Sequence, residues 1–385
     1  MKKSLLALGV LGAFAGAAHA QSSVTLYGII DAGLQYVSKT GGNLAGTGTT
    51  NHNFQFANGN LQGSRWGLKG AEDLGGGLKA IFVLENGFNL GNGTLGQNGR
   101  MFGRQAYVGL SSATAGTFTI GRQYDSVVDF VGPYASGSQW ATFAGAHPFD
   151  NDNLNNSFRV NNSVKYTTVN YNGFSAGGMY GFSNSANNGS TGSGFANNRA
   201  YSFGLGYANG PVSFGAGYLM LSAPAANSTG VINNGGDATT PMTLGGLVAS
   251  DKAWIASAGG SYAFGPATLG LVYAHSVYQY VGGGSWKFDN AELNAKYMLT
   301  PALQLGASYT YTWSTLNLTG SSVSPKYHQV NLGVDYFLSK RTDTYLVGLW
   351  QHANNDAPGG ASLNGLGFSN STNQFAVTAG IRHKF

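Results

Sequence analysis

The chain of 385 residues has no cysteine, nine prolines and only 9% charged residues. No disulfide framework is open to it. Collagen needs abundant proline in a strict Gly-X-Y period, so that class is excluded. Soluble domains carry roughly 25% charged residues, and this chain is not composed like one. A disordered chain has few aromatics and a high net charge; here aromatics are 13%. Beyond the first twenty residues, no apolar run approaches the roughly 20 residues of a membrane helix. A nucleic-acid binder shows a dense Lys/Arg stripe; none is present, and no nucleic-acid partner is expected.

What the chain has in excess is glycine, 61 residues, with 21 Tyr and 22 Phe. Mean hydropathy is −0.09, so apolar residues are plentiful but diluted among polar ones. That mixture suits a sheet with one apolar and one polar face.

Residues 1–20 have the form of a cleaved export signal. Lys2 and Lys3 form a basic start, an apolar stretch follows, and Ala18-His19-Ala20 is an A-x-A cleavage pattern. The mature domain is then 21–385, with 18 basic and 15 acidic residues, a net charge of +3.

Period-two alternation dominates that domain. Phe375, Val377, Ala379 and Ile381 alternate with Gln374, Thr378 and Arg382. Leu293, Ala295 and Tyr297 alternate with Glu292, Asn294 and Lys296. Sixteen such runs are countable, among them 24–38, 61–72, 100–112, 287–299 and 373–385. Tight turns rich in Gly, Asn and Pro alternate strictly with long loops of Gly, Asn, Ser and Thr. An even strand number, short turns at one rim and long loops at the other describe an all-β, 16-stranded antiparallel transmembrane barrel. A closed sheet pairs every backbone group in hydrocarbon. Aromatics at run ends, including Tyr27, Trp66, Tyr166, Tyr273, Trp313 and Tyr336, predict girdles at the membrane interfaces. Short periplasmic turns, long external loops and a bacterial outer-membrane location follow.

One connection is unlike the rest. Residues 124–158 contain Val127, Val128, Phe130, Val131, Tyr134, Trp140, Phe143 and Phe149, too apolar for a solvent-swinging loop. Either it is a lid packed on neighbouring loops, or it folds into the lumen and narrows the pore. It also carries Asp125, Asp129, Asp150 and Asp152. Arginine placement supports the lumen reading. Arg65 and Lys69 oppose Trp66 and Leu68, and Arg159 and Lys165 oppose Val160, Val164 and Tyr166. A lipid-facing charge costs ~2–4 kcal/mol at the midplane, so these cations belong in the lumen. Arg104 is less clear: placing Tyr107 outward turns it inward, but Ala106 and Val108 go with it. Arg122 shares parity with Phe118 and Ile120 and stays ambiguous.

The segments SSVTLYGIIDAGL, GSRWGLKGAEDLGGGLKAIFVLENGF, RQAYVGL and TFTIGRQYD, with a final aromatic strand ending in Phe385, resemble the general porins of β-proteobacteria. The resemblance covers essentially the whole mature chain. It implies a homotrimeric porin with an inward-folded third loop that constricts the channel. It implies a wall cluster of Arg65, Arg104 and Arg159 facing loop acids, here Asp125, Asp129, Asp150 and Asp152. Phe385 matches the family's assembly signal. The chain departs from the P-E-F-G-G motif of enterobacterial porins, with Ala144-Gly145-Ala146-His147 and no Glu in the loop.

No catalytic constellation is legible. Gly173–Gly177 fits G-x-S-x-G, but Ser175 opens an alternating strand rather than a strand–helix elbow. The histidines are scattered, so no metal and no cofactor is expected. The expected function is passive diffusion of ions and small hydrophilic solutes, with a weak to moderate anion preference. The alternative is a substrate-specific channel for a sugar or oligopeptide. An enzyme and an adhesin anchored by the barrel fit less well. The expected surroundings are outer-membrane lipid and lipopolysaccharide.

Overall fold

The computed structural model describes residues 23–186, 194–232 and 237–385. The expected export signal at 1–20 lies outside the described residues. Eighteen strands form one sheet: β1(Ser23–Thr40), β2(Asn51–Asn58), β3(Arg65–Gly75), β4(Leu78–Gly87), β5(Gln105–Ser112), β6(Gly116–Gln123), β7(Val160–Thr167), β8(Phe174–Gly181) and β9(Arg199–Asn209), then β10(Val212–Ser222), β11(Ser250–Phe264), β12(Ala267–Tyr280), β13(Ser285–Thr300), β14(Leu303–Leu318), β15(Ser321–Val323), β16(Lys326–Phe337), β17(Thr342–Ala353) and β18(Asn373–Lys384). Two are accessory. β2 pairs only with the upper half of β1, and β15 only with the tip of β14. The other sixteen form the closed antiparallel barrel. Closure is between the chain's ends, from Ile29↔Lys384 to Val37↔Ala376.

Alternation explains the wall. Leu26, Phe203, Leu271 and Leu293 are exposed on the outside, where hydrocarbon lies. Asn294, Thr310, Asn331, Gln351 and Thr378 are buried on the inside. This inverts a soluble protein and is the signature of a membrane barrel.

Four expectations are corrected here. The run at 61–72 does not begin its strand at 61; β3 starts at Arg65, and 59–64 separate it from β2 above. Loop lengths do not alternate strictly, because only residues 281–284 join β12 to β13. Tyr27 is no girdle residue: its hydroxyl donates to Glu85 inside the barrel at 2.9 Å. Tyr107 faces inward and Val108 faces lipid, the reverse of the predicted parity.

Residues 124–158 fold into the barrel. Val127, Val131, Phe149, Leu154 and Phe158 pack on Leu219, Ile255, Val272, Trp286 and Phe288 of the wall in one buried cluster. Glycine makes room for this. A Cβ on Gly204 or Gly215 would collide with Phe130, and one on Gly306 or Gly333 with Trp140. Gly204 admits the Phe130 ring and Gly215 its backbone carbonyl, while Gly306 and Gly333 form one dent that receives the Trp140 ring.

Candidate functional site

The loop is held by its own acids. Asp125 caps the helical turn Ser126–Phe130, accepting from the Val127 amide at 2.8 Å and from Asn153 Nδ2 at 2.8 Å. Asp150 accepts from the amides of Asn155 at 2.9 Å and Ser157 at 3.0 Å. Asp152 lies 2.5 Å from His147 Nδ1 and accepts from Asn290 Nδ2 at 3.0 Å. All three acids are buried, and none faces the channel. Burial pushes Asp125 and Asp150 up to about 6. Of the four acids predicted for the pore, only Asp129 lines it. A loop has no period, so its sequence could not say which way each carboxylate turns.

His147 is the centre of the attachment. Its Nε2 lies 3.3 Å from Glu292 Oε2 on β13. Glu292 also accepts from the Ser136 amide at 2.8 Å and the Ser136 hydroxyl at 2.7 Å. Burial alone would push the imidazolium down, but Asp152 and Glu292 raise it to about 10. At neutral pH a buried cation is thus clasped between two carboxylates. Nearby, Gln329 and Asn331 of β16 donate to the Gly145 carbonyl, both at 3.0 Å. Sequence reading missed Glu292 and Asn290, although both stand on the inner parity of β13.

Facing the loop is a cavity of about 920 Å³. Arg65, Arg104, Arg159 and Tyr124 line its wall side, and Asp129, Gly132 and Pro133 its loop side. Arg104 precedes β5, so strand parity does not bind it; its Nε donates to Glu85 at 2.7 Å. Arg65 Nη1 is 4.0 Å from the same carboxylate. Tyr124 accepts from Arg104 Nη2 at 3.1 Å, and its ring lies 5.8 Å from the Arg159 guanidinium. That is cation–π distance. No acid among the described residues lies within ion-pair distance of Arg159. Burial and the neighbouring Arg104 hold its guanidinium below the usual range.

The remaining predicted cations divide. Arg122 leaves the strand alternation at a register break beside Gly121, whose φ is +144°. It donates to Asp237 at 2.8 Å, and Arg100 reaches the same carboxylate at 2.9 Å. Lys165 pairs with Asp129. Lys69 lies 5.3 Å from the Tyr27 ring centre. The structure therefore brings together Arg65, Arg104 and Arg159 directly, and Arg122 and Lys165 through acid partners. Glu85 and Asp237 were missed. Glu85 had a signal, being the only acid between 74 and 124, in a membrane strand where a charge requires a partner. Asp237 sits in a long loop and had none.

Ser175 lies within β8, with no helix after it. Phe385 closes the seam: its amide and carbonyl each bond Gly28 at 3.1 Å.

Comparison with known proteins matches residues 7–380 to the Gram-negative porin family. An outer membrane porin of Bordetella pertussis is 36% identical, with all of both chains covered. Outer membrane porin protein 32 of Delftia acidovorans is 34% identical, again over all of both. Among solved structures, the anion-selective porin from Comamonas acidovorans superimposes with a TM-score of 0.72 at 27% identity, covering 95% of this chain and 100% of that one.

Proposed function

This chain belongs to the Gram-negative porin family and is an outer-membrane channel protein, and from that premise we propose an anion-preferring eyelet for ions and small hydrophilic solutes. The carrying observation is a charge imbalance. Six cations, Arg65, Arg100, Arg104, Arg122, Arg159 and Lys165, surround the constriction with three acids, Glu85, Asp129 and Asp237. Every acid is engaged by a cation, while Arg159 meets only an aromatic face. In a narrow, low-dielectric passage this surplus concentrates anions and repels cations. The similar Comamonas porin is itself described as anion-selective.

The chain acts as a channel and not as an enzyme. It assembles as a homotrimer through the outer face of β1 and β2. That reading is supported by Leu34, Tyr36, Phe54 and Phe56, which are exposed there with no cation among them. The test is planar-bilayer recording of the refolded mature chain in a KCl gradient. A reversal potential on the chloride side is expected. A potassium-side potential means that Glu85, Asp129 and Asp237 dominate the field, and the reading fails. Seminative gels report the oligomer: a heat-modifiable band at the monomer's size alone would refute the trimer.

A further inference from the structure

One segment of the eyelet wall has a support that the charge imbalance leaves unused. β2 runs beside the upper half of β1 and β3 beside its lower half. Pairing stops at Ala32↔Asn58 and resumes at Ile29↔Arg65. Residues 59–64 therefore stand opposite only Ile30 and Asp31, and the surplus bulges inward. Gly59, Leu61, Gln62, Gly63 and Ser64 all line the constriction cavity. Bulges of this kind re-aim the side chains beside them.

Asp31, fully buried, holds the bulge. Its Oδ2 accepts from the Gln62 amide at 2.8 Å, and its carbonyl accepts from the Gly59 amide at 2.8 Å. Its amide donates to Ser64 Oγ at 3.0 Å, and that hydroxyl donates back to its carbonyl at 2.9 Å. Its Oδ1 accepts from the Tyr345 hydroxyl at 2.6 Å. Tyr345 stands on β17 and reaches β1 across Gly380 of β18, where a Cβ would collide with that hydroxyl. The same hydroxyl accepts from Asn60 Nδ2 at 3.1 Å.

Two parts of the eyelet hang on the bulge. Arg65 Nε donates to the Gly63 carbonyl at 2.9 Å, so the bulge's own backbone aims the guanidinium. The Asn60 carbonyl accepts from the Phe143 amide at 2.7 Å, at the tip of the constriction loop. Thr142, just before it, has a φ of +68°, which a β-branched residue adopts only where its surroundings hold it. Asn364 Nδ2 steadies the Phe143 carbonyl at 3.1 Å. Around these bonds Leu61, Ala144, Val347, Leu349 and Tyr345 form a buried cluster separate from the main core.

We propose that Asp31 and Tyr345 are positioning residues of the eyelet: the pair sets the bulge, and the bulge sets both the aim of Arg65 and the seat of the loop tip. This rests on the anion-preferring reading above and adds to it what keeps wall and loop at a fixed separation. Charge and placement make opposite demands on Asp31. As a bare lumen charge it would oppose anions, and its loss would raise chloride preference. As a positioning residue its loss lowers that preference, because Arg65 swings away and the loop tip leaves the wall.

The test is planar-bilayer recording of the refolded mature chain in a KCl gradient, with Y345F, D31N and D335N. Y345F changes no charge. D31N sets an amide NH2 against the Gln62 amide or the Tyr345 hydroxyl. Asp335 is a buried acid of the inner wall whose ion pair is with Arg382 at 3.6 Å, so D335N reports the loss of one lumen charge alone. Y345F should lower the chloride-to-potassium permeability ratio by about twofold or more, a part of the ~tenfold that a focused field supplies. Its open-channel current should be noisier than the parent's. D31N should move the ratio the same way, whereas D335N should keep or raise it with a quiet current. Should D31N fail to refold into heat-modifiable oligomers, Y345F and S64A carry the test. An unchanged ratio with a quiet current in Y345F overturns the proposal. So does a chloride-ward shift in D31N that matches D335N, which would make Asp31 a lumen charge only. A parent reversal on the potassium side refutes the anion reading instead; excess noise in Y345F would still support the positioning role, and its absence would still overturn it.

Discussion

The constriction has two sides built on opposite electrostatic plans. On the loop side, Asp125, Asp150 and Asp152 are buried and spent on backbone amides, Asn153, Asn290 and His147. On the wall side, Arg65, Arg104 and Arg159 line the water with one carboxylate, Glu85, between them. Both sides are rich in charge by composition. What separates them is where the partner is: within the loop the acids are neutralised locally, whereas the wall has too few acids to cancel its cations. Charge that fixes a shape is invisible to a passing ion, and charge left over is what the ion meets.

Breaking the loop side has the largest expected effect. Removing one partner of a buried ion pair costs ~3–5 kcal/mol. Glu292→Ala leaves His147 with Asp152 as its one carboxylate and takes the acceptor from Ser136, and should release the loop from β13. Single-channel conductance should rise and become noisy. An unchanged, quiet conductance would mean that the apolar packing of Phe130 and Trp140 holds the loop alone.

The same attachment should weaken with pH. His147 is raised from its ordinary 6.5 to about 10 in the folded chain. A raised folded value contributes stability that is complete below pH 6.5 and is lost as pH climbs through 10. Conductance noise should therefore grow between those limits in the parent and not in His147→Gln. Flat noise in the parent across that range would remove the imidazolium from the account.

Next comes the wall. Arg65→Gln, Arg104→Gln and Arg159→Gln together should lower the chloride-to-potassium permeability ratio by about tenfold, the lower end of what a focused field supplies. Loop noise should not change. A reversal potential that stays put would move selectivity away from the constriction.

The smallest effect sharpens the contrast. Asp125→Ala removes a helix cap worth ~0.5–2 kcal/mol. It should lower the temperature at which the folded oligomer converts, yet leave the reversal potential where it was. A shift toward chloride would show that this buried acid does reach the pore after all.

The barrel was legible because lipid and lumen impose opposite solvents on alternate residues, and that leaves a period of two. Phe375 to Ile381 against Gln374 to Arg382 is such a case, and β18 has that alternation. Reading failed where the period fails. Tyr107 and Tyr27 are aromatic yet inward, because each tyrosine hydroxyl is a polar handle for the lumen. Arg104 and Arg122 sit at a strand start and a register break, so counting by twos could not place them. The loop's apolar content announced that it would be buried. The receiving dents at Gly204, Gly215, Gly306 and Gly333 hid among 61 glycines, and nothing marked them as contacts.

The seam between β1 and β18 has a kinetic meaning. Gln35 donates to Thr378 across 343 positions of chain, and Phe385 is stitched to Gly28. The first strand to be synthesised must wait with an open edge for the last. Such long-range pairing is slow, and an unpaired edge invites pairing with other chains. A truncated chain would be an open sheet, with no way to enter hydrocarbon and two edges ready to aggregate. Delivery of this protein is thus all-or-none. With its two backbone bonds to Gly28, the final residue is itself part of the seal.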